Sequence, residues 1–395
     1  MNLSLGATLI IAGTTIGAGM LALPLASAPL GFPLTMALMF FWWLVMLYSA
    51  ELFVRLNRVY GEPASLPLLF RHYGSKKMEA FLSFVLCFLF FALVAAYLTG
   101  GASVLHNLLA DEIKAKISHS SVITLFTLVF SFLILSQRHF SDAVNRFLVA
   151  VKVVAFILMY IQLWPLIKSE HLLETHISLQ NQTSLWVAIP IVFTSFGFHG
   201  SISSILKYVG IQNRSVIKIL FWGSFLPCLI YLLWIVASVG SIPFEGPQSF
   251  TTIQENGNDV GVLLNILSRL SQSPSLLIAS SVFSLLAIAT SLLGVGLGLF
   301  DFFEERMSGS LRTFKSIFAT FFIPFLFAQF YPNGFILALG FAAMALSFLA
   351  VIFPAYLCLK LGENFPLHFR YERFFIFLVM LLGLSIVGME LIHLF

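Results

Sequence analysis

Eleven long apolar runs separated by short polar links account for nearly the whole chain. Each is close to the roughly 17 to 25 residues that cross a hydrocarbon core about 30 Å thick as an α-helix. The runs fall at about 4 to 29, 32 to 54, 79 to 107, 120 to 136, 147 to 167, 185 to 208, 216 to 240, 275 to 302, 314 to 331, 334 to 358 and 374 to 395. The links between them are too short to hold a soluble domain. The pattern predicts an all-α integral membrane protein of eleven transmembrane helices.

Two of these runs are interrupted where a plain spanning helix has no reason to be. The first carries GTTIGAGMLALP, Gly13 to Pro24, and the sixth carries TSFGFHGS, Thr194 to Ser201. Backbone groups without partners cost several kcal/mol each in hydrocarbon, so broken helix at that depth persists only where protein or a polar cavity satisfies it. Close helix packing is the other use of glycine in a membrane, and either cluster alone would fit it. The positions decide between them, because segments one and six are equivalent places in two halves of five. Five is odd, so the second half enters from the opposite side, giving an inverted repeat. The expected organisation is a first repeat at 1–168, a second at 185–358, and one extra helix at 374–395.

A helix broken at mid-depth offers a carboxylate the free N–H groups and positive dipole end of one half. The carbonyls ending the other half suit an ammonium or cation. That combination fits the zwitterionic end of an amino acid.

Composition agrees with a membrane location. Of 395 residues, 59% are hydrophobic and 10% charged, with a mean hydropathy of +0.98. Only Lys114, Lys116, Lys168 and Arg269 among 21 Lys and Arg fall in links on the side opposite the N-terminus. The positive-inside rule therefore places the N-terminus in the cytoplasm and the C-terminus outside. The net charge of +4 reflects topology, and a nucleic-acid partner is not expected. Apart from Lys152, charged side chains such as Glu51, Lys207, Asp301 and Glu390 sit near span ends, so a strongly charged substrate is not expected. Ala26 to Ala28 mimics a signal-peptidase site, but Met1 to Ile10 lacks the basic residue of a signal, and retention is expected. Cys87, Cys228 and Cys358 lack metal-ligand spacing and read as small hydrophobes, so no metal site is expected. His171 and His176 read as solvated link residues.

The sequence resembles the bacterial hydroxy/aromatic amino acid permeases of the amino acid, polyamine and organocation superfamily. AGTTIGAGMLALP (Ala12 to Pro24), NRFLVAVK (Asn145 to Lys152), VFTSFGFHGS (Val192 to Ser201), ATSLLGVGLGLFD (Ala289 to Asp301) and FYPNGFILALG (Phe330 to Gly340) carry the likeness. It runs from about residue 4 to the end and thins at Ser241 to Pro274 and Lys360 to Arg373. The resemblance implies a LeuT-like five-plus-five fold and proton-driven uptake of an aromatic amino acid through the inner membrane. L-Tyrosine is the first choice; tryptophan, a broad aromatic range or sodium coupling are the alternatives. It implies that Thr15, Ile16, Gly17, Ala18 and Gly19 hold the carboxylate. Ser195, Phe196, Gly197, Phe198, His199 and Gly200 would complete the site, with Phe196 and Phe198 as ring contacts or as ordinary packing. Tyr97 would approach the carboxylate or be an ordinary buried tyrosine.

For coupling, the stretch Ala287 to Ser291 resembles a sodium-site pattern through Thr290 and Ser291, although such hydroxyls commonly bond back to their own helix. Lys152 would place its amine at that vacant site, as in some proton-coupled relatives, or snorkel to the interface. A desolvated lysine gives up its proton readily, as a carrier requires. Met20 stands where sodium-coupled relatives place an asparagine, and its thioether is a poor ligand for a hard cation. His199 is the other titratable candidate, as proton carrier or as substrate or gate contact. No zinc motif, intramembrane carboxylate pair or phosphate-binding loop is present in the sequence, so an enzyme, an ATP-driven pump and a resident cofactor are not expected. The partners expected are an aromatic amino acid, protons and the lipid bilayer.

Overall fold

A computed structural model describes residues 3–109, 111–114, 116–136, 142–176, 183–368 and 370–394. Those residues form helices and no strands. The first half contains α1 (Leu3–Thr15), α2 (Gly19–Ser27), α3 (Gly31–Tyr60), α4 (Leu66–Tyr73), α5 (Lys76–Leu108), α6 (Asp111–Lys114), α7 (His119–Ser136), α8 (Asp142–Leu163) and α9 (Ser169–Leu173). The second contains α10 (Thr183–Ser195), α11 (Ile202–Val209), α12 (Val216–Ser241), α13 (Phe250–Glu255), α14 (Val260–Ser271) and α15 (Pro274–Glu304). It continues with α16 (Arg312–Phe330), α17 (Phe335–Leu346), α18 (Phe353–Leu361) and α19 (Glu372–Leu394).

Nine helical stretches among the described residues are long and apolar enough to cross a membrane. The eleven runs of the sequence map onto them unevenly. Gly19–Tyr60 counts as one such stretch, yet Gly31 at φ 70° turns the chain sharply between α2 and α3. Leu3–Thr15 and Ala150–Leu166 are shorter apolar helices. Arg138, one of the charges expected inside, lies outside the described residues.

The ends of the spans follow local chemistry. Ser75 caps α5 by accepting from Met78 N–H, Pro274 occupies the first turn of α15, and Gly61 at φ 97° closes α3 in the left-handed conformation. A π-helical segment, Ser347–Ile352, joins α17 to α18, and Ser347 Oγ donates to Gly383 of α19 at 2.7 Å. α5 is the central post, packed against α4, α7, α14, α15, α16 and α17, while α1 lies along α12 and α2 along α10. The perimeter exposes Leu125, Leu128, Phe132, Ile161 and Phe314, an apolar belt that fits lipid tails.

The link between α12 and α15 is more structured than its composition indicated. Asp259 caps α14 by accepting from Val262 N–H at 2.9 Å and also takes the Ser103 hydroxyl of α5 at 2.6 Å. Val260, Leu263, Leu264 and Leu267 of α14 are buried, so the link is docked on the bundle. His171 is half-buried, whereas His176 is exposed as expected of a link residue. His171 Nδ1 lies 3.0 Å from Gly240 O, and the His176 ring stacks on Phe244 with centroids 3.7 Å apart.

Candidate functional site

Regular helix stops at Thr15 and resumes at Gly19, and stops again at Ser195 before a 3-10 turn at His199–Ser201 leads into α11. At the first interruption Ile16 N–H still reaches Ala12 O at 2.9 Å, but Gly17 N–H folds back onto Thr15 O at 2.8 Å. Met20 and Leu21 N–H bond Gly17 and Ala18 carbonyls, three residues back. Ala18 and Gly19 N–H take no part in the backbone bonds of this turn, so they form the open positive end of α2. At the second interruption Gly197 N–H bonds Thr194 O at 3.0 Å and Phe198 N–H bonds Phe196 O at 3.0 Å.

The two interruptions touch. Ser195 Oγ lies 3.4 Å from Gly19 O, while its bond to Ile191 O is the shorter one at 2.9 Å. A Cβ at Gly19 would stand 3.2 Å from Ser195 Oγ, and one at Gly17 would stand 2.7 Å from Ser291 Oγ. Glycine therefore lets α10 and α15 approach the first break closely. Tyr97 of α5 is 7% exposed, and its hydroxyl faces the Ser291 side chain. Gly17, Tyr97 and Ser291 thus form one contact cluster, although they come from α5, α15 and the first break.

The carbonyls released where α1 ends are met by donors from other helices. Lys152 of α8 is 7% exposed and extends its Nζ to Ile16 O at 3.4 Å. The ammonium therefore points at the negative end of α1 and into the protein, which a snorkelling lysine would not do. Tyr231 of α12 is fully buried. Its hydroxyl lies 2.6 Å from Thr15 O and 3.0 Å from Ser195 O. It spans the last helical residues of α1 and α10, sharing one proton between two carbonyls that have lost their helical partners. Sequence reasoning missed Tyr231, because a lone tyrosine in an apolar helix carries no signal of what it faces.

The remaining expected residues divide. Phe196 is buried against the Tyr231 ring at 5.7 Å between centroids, and Phe198 stacks on His199 at 5.1 Å. Both ring nitrogens of His199 are buried without a hydrogen-bond partner among the described residues. Gly197 and Gly200 are exposed, as are Gly13 and Thr14 in the last turn of α1. The Thr290 hydroxyl donates to Leu286 O of its own helix at 2.8 Å, which leaves its oxygen lone pairs available. Arg146, from which the depth of Lys152 was reckoned, has a side chain outside the described residues.

The described fold is similar to that of the solved Eremococcus coleocola manganese transporter, with a TM-score of 0.64 over 98% of this chain and 85% of that one at 15% identity. At that identity the likeness concerns the fold. In sequence, the tyrosine-specific transport system 1 of Haemophilus influenzae is 34% identical over 98% of this chain and 96% of its own length. The tryptophan-specific transport protein of the same organism is 32% identical over 92% of this chain and 88% of its own. These relatives are transport proteins, not enzymes. The tryptophan/tyrosine permease family matches residues 1–390, and the chain belongs to that family of membrane transport proteins.

Proposed function

We propose that the chain is a secondary carrier that imports an aromatic amino acid, L-tyrosine first, together with a proton across the bacterial inner membrane. It alternates access between two inverted five-helix repeats, with α19 as an eleventh span, N-terminus inside and C-terminus outside. The observation that carries this reading is the meeting of the two helix interruptions, joined by Tyr231 and by Ser195. The substrate carboxylate lies against the Ala18 and Gly19 N–H groups at the start of α2. The ammonium faces carbonyls released at the breaks, and the ring extends toward Phe196, Phe198 and His199.

Lys152 is the coupling group in this reading. Its amine sits at the end of α1 where a cation would otherwise stand, and its proton comes and goes as the breaks move. Thr290 and Ser291 of α15 stand with Lys152 in this proposal, Ser291 also lying against Gly17. Two relatives with different names, one tyrosine-specific and one tryptophan-specific, keep tryptophan as the second reading of the substrate. Uptake of radiolabelled tyrosine in cells or proteoliposomes tests the proposal: it collapses with a protonophore and is indifferent to replacement of sodium. Uptake that followed a sodium gradient would overturn the coupling assignment.

A further inference from the structure

Glu390 sits near the end of α19, yet it is only 3% exposed. It has no hydrogen bond or ion pair with any described residue. Gly340 of α17 makes room for it, because a Cβ there would lie 2.8 Å from the Glu390 carboxyl carbon and oxygen Oε1. The carboxyl is therefore pressed against bare α17 backbone.

Among the described residues, the elements packed against α19 place nothing beside Glu390 to balance a negative charge. α19 packs against α10, α17, α18 and the π-helical segment. α10 (Thr183–Ser195), α17 (Phe335–Leu346) and Ser347–Ile352 contain no titratable side chain. α18 carries Tyr356, Cys358 and Lys360 toward the end of the bundle that holds Glu372, and Lys360 Nζ is bonded to Tyr73 O. On α19 itself, Glu372 is paired with Arg55, Arg373 is its neighbour, and His393 is exposed. Glu390 is eighteen residues beyond Glu372, about 27 Å along the helix. A carboxylate ion here would be buried without a counter-charge and close to the negative end of its own helix, both unfavourable. An intramembrane acid in such a place is a candidate for proton binding.

We propose that Glu390 is a proton-binding site, separate from the one at Lys152, whose acid form closes the seam where α19 meets α10 and α17. The acid oxygen takes up a proton as the seam closes and releases it when the carboxyl is exposed to water. Because α10 is also the first half of the second broken span, the proton at Glu390 is linked to the position of that half-helix. Lower pH on the side that reaches this seam favours the closed arrangement, since only that arrangement keeps the additional proton.

Infrared spectroscopy of the purified full chain in lipid nanodiscs tests this without requiring transport. The expected result is a protonated-carboxyl band at neutral pH that fades on alkaline titration and is lost in Glu390→Gln, a variant of nearly the same shape. Gly340→Ala retains Glu390 but fills its space, and is expected to lose the same band. This second variant keeps the test open if Glu390→Gln does not accumulate. A band of unchanged intensity in both variants, or no such band in the native chain, overturns the proposal. Failure here leaves the Lys152 reading intact, because that reading is tested by uptake and not by this band.

Discussion

The Tyr231 hydroxyl lies 2.6 Å from the carbonyl oxygen of Thr15, the residue at which the first helix stops. The same hydroxyl is 3.0 Å from Ser195 O, where α10 stops. One side chain from α12 thus holds the frayed ends of two half-helices at a fixed spacing. Helix ends buried without partners are unstable, and this donor meets that need at Ser195 O while joining Gly17 N–H at Thr15 O.

Removing only that hydroxyl isolates its contribution. Tyr231→Phe preserves the ring contact with Phe196 but leaves a buried carbonyl without its donor, a cost of about 1 to 3 kcal/mol. The variant is expected to insert normally and to transport tyrosine about ten-fold more slowly or less tightly, about 1.4 kcal/mol. Initial-rate uptake at several tyrosine concentrations, normalised to protein in the membrane, checks it.

The contact at Gly17 allows a paired test. A Cβ at Gly17 would stand 2.7 Å from Ser291 Oγ but 3.7 Å from Ser291 Cβ. Gly17→Ala alone is therefore overpacked, at about 1 to 3 kcal/mol, and is expected to weaken tyrosine binding. Adding Ser291→Ala removes the oxygen responsible and is expected to recover part of the loss, measured by equilibrium binding to purified protein. A double variant as weak as the single one would mean that the hydroxyl is not the obstacle.

Lys152→Ala is expected to abolish accumulation of tyrosine against its gradient while sparing exchange of internal for external tyrosine. Counterflow in proteoliposomes, compared with uptake driven by an imposed pH gradient, separates the two activities. Full accumulation without the amine would remove Lys152 from the coupling role.

Far from the breaks, Arg55 and Glu372 form a buried pair with an N–O distance of 2.5 Å and side chains 4% and 1% exposed. Glu372 also accepts from Tyr48 at 3.2 Å and His368 N–H at 2.6 Å. Arg55→Ala leaves that carboxylate buried without its cation and is expected to cost about 3 to 5 kcal/mol. Arg55→Met with Glu372→Leu removes both charges and is expected to cost less. Thermal unfolding in detergent orders the two variants, and a single variant as stable as native protein would contradict the ordering.

Part of this site was legible in the sequence because hydrocarbon makes certain residues conspicuous. Glycines and hydroxyls at Gly13 to Gly19 and Thr194 to Ser201 have few uses at mid-depth, and both segments are interrupted there. Lys152 stood out for the same reason, as a charge without an adjacent interface. Tyr231 did not, because α12 is apolar all round and its sequence does not say which neighbour the hydroxyl meets. α14 was read as part of a polar link because its apolar face is short and flanked by polar residues, and only the capping contacts of Asp259 with α5 reveal its docking. Glu390 was placed near a span end by counting along α19. Its burial arises from Gly340, fifty residues earlier, and no local pattern connects them.

A grip on the zwitterionic end of the substrate by backbone at the two interruptions would be visible in a cryo-EM map of the protein with bound L-tyrosine. Density for the amino acid is expected between Thr15–Gly19 and Ser195–Gly200, with its carboxylate against the Ala18 and Gly19 N–H groups. Substrate density elsewhere, or a carboxylate held by side chains away from these N–H groups, would contradict it.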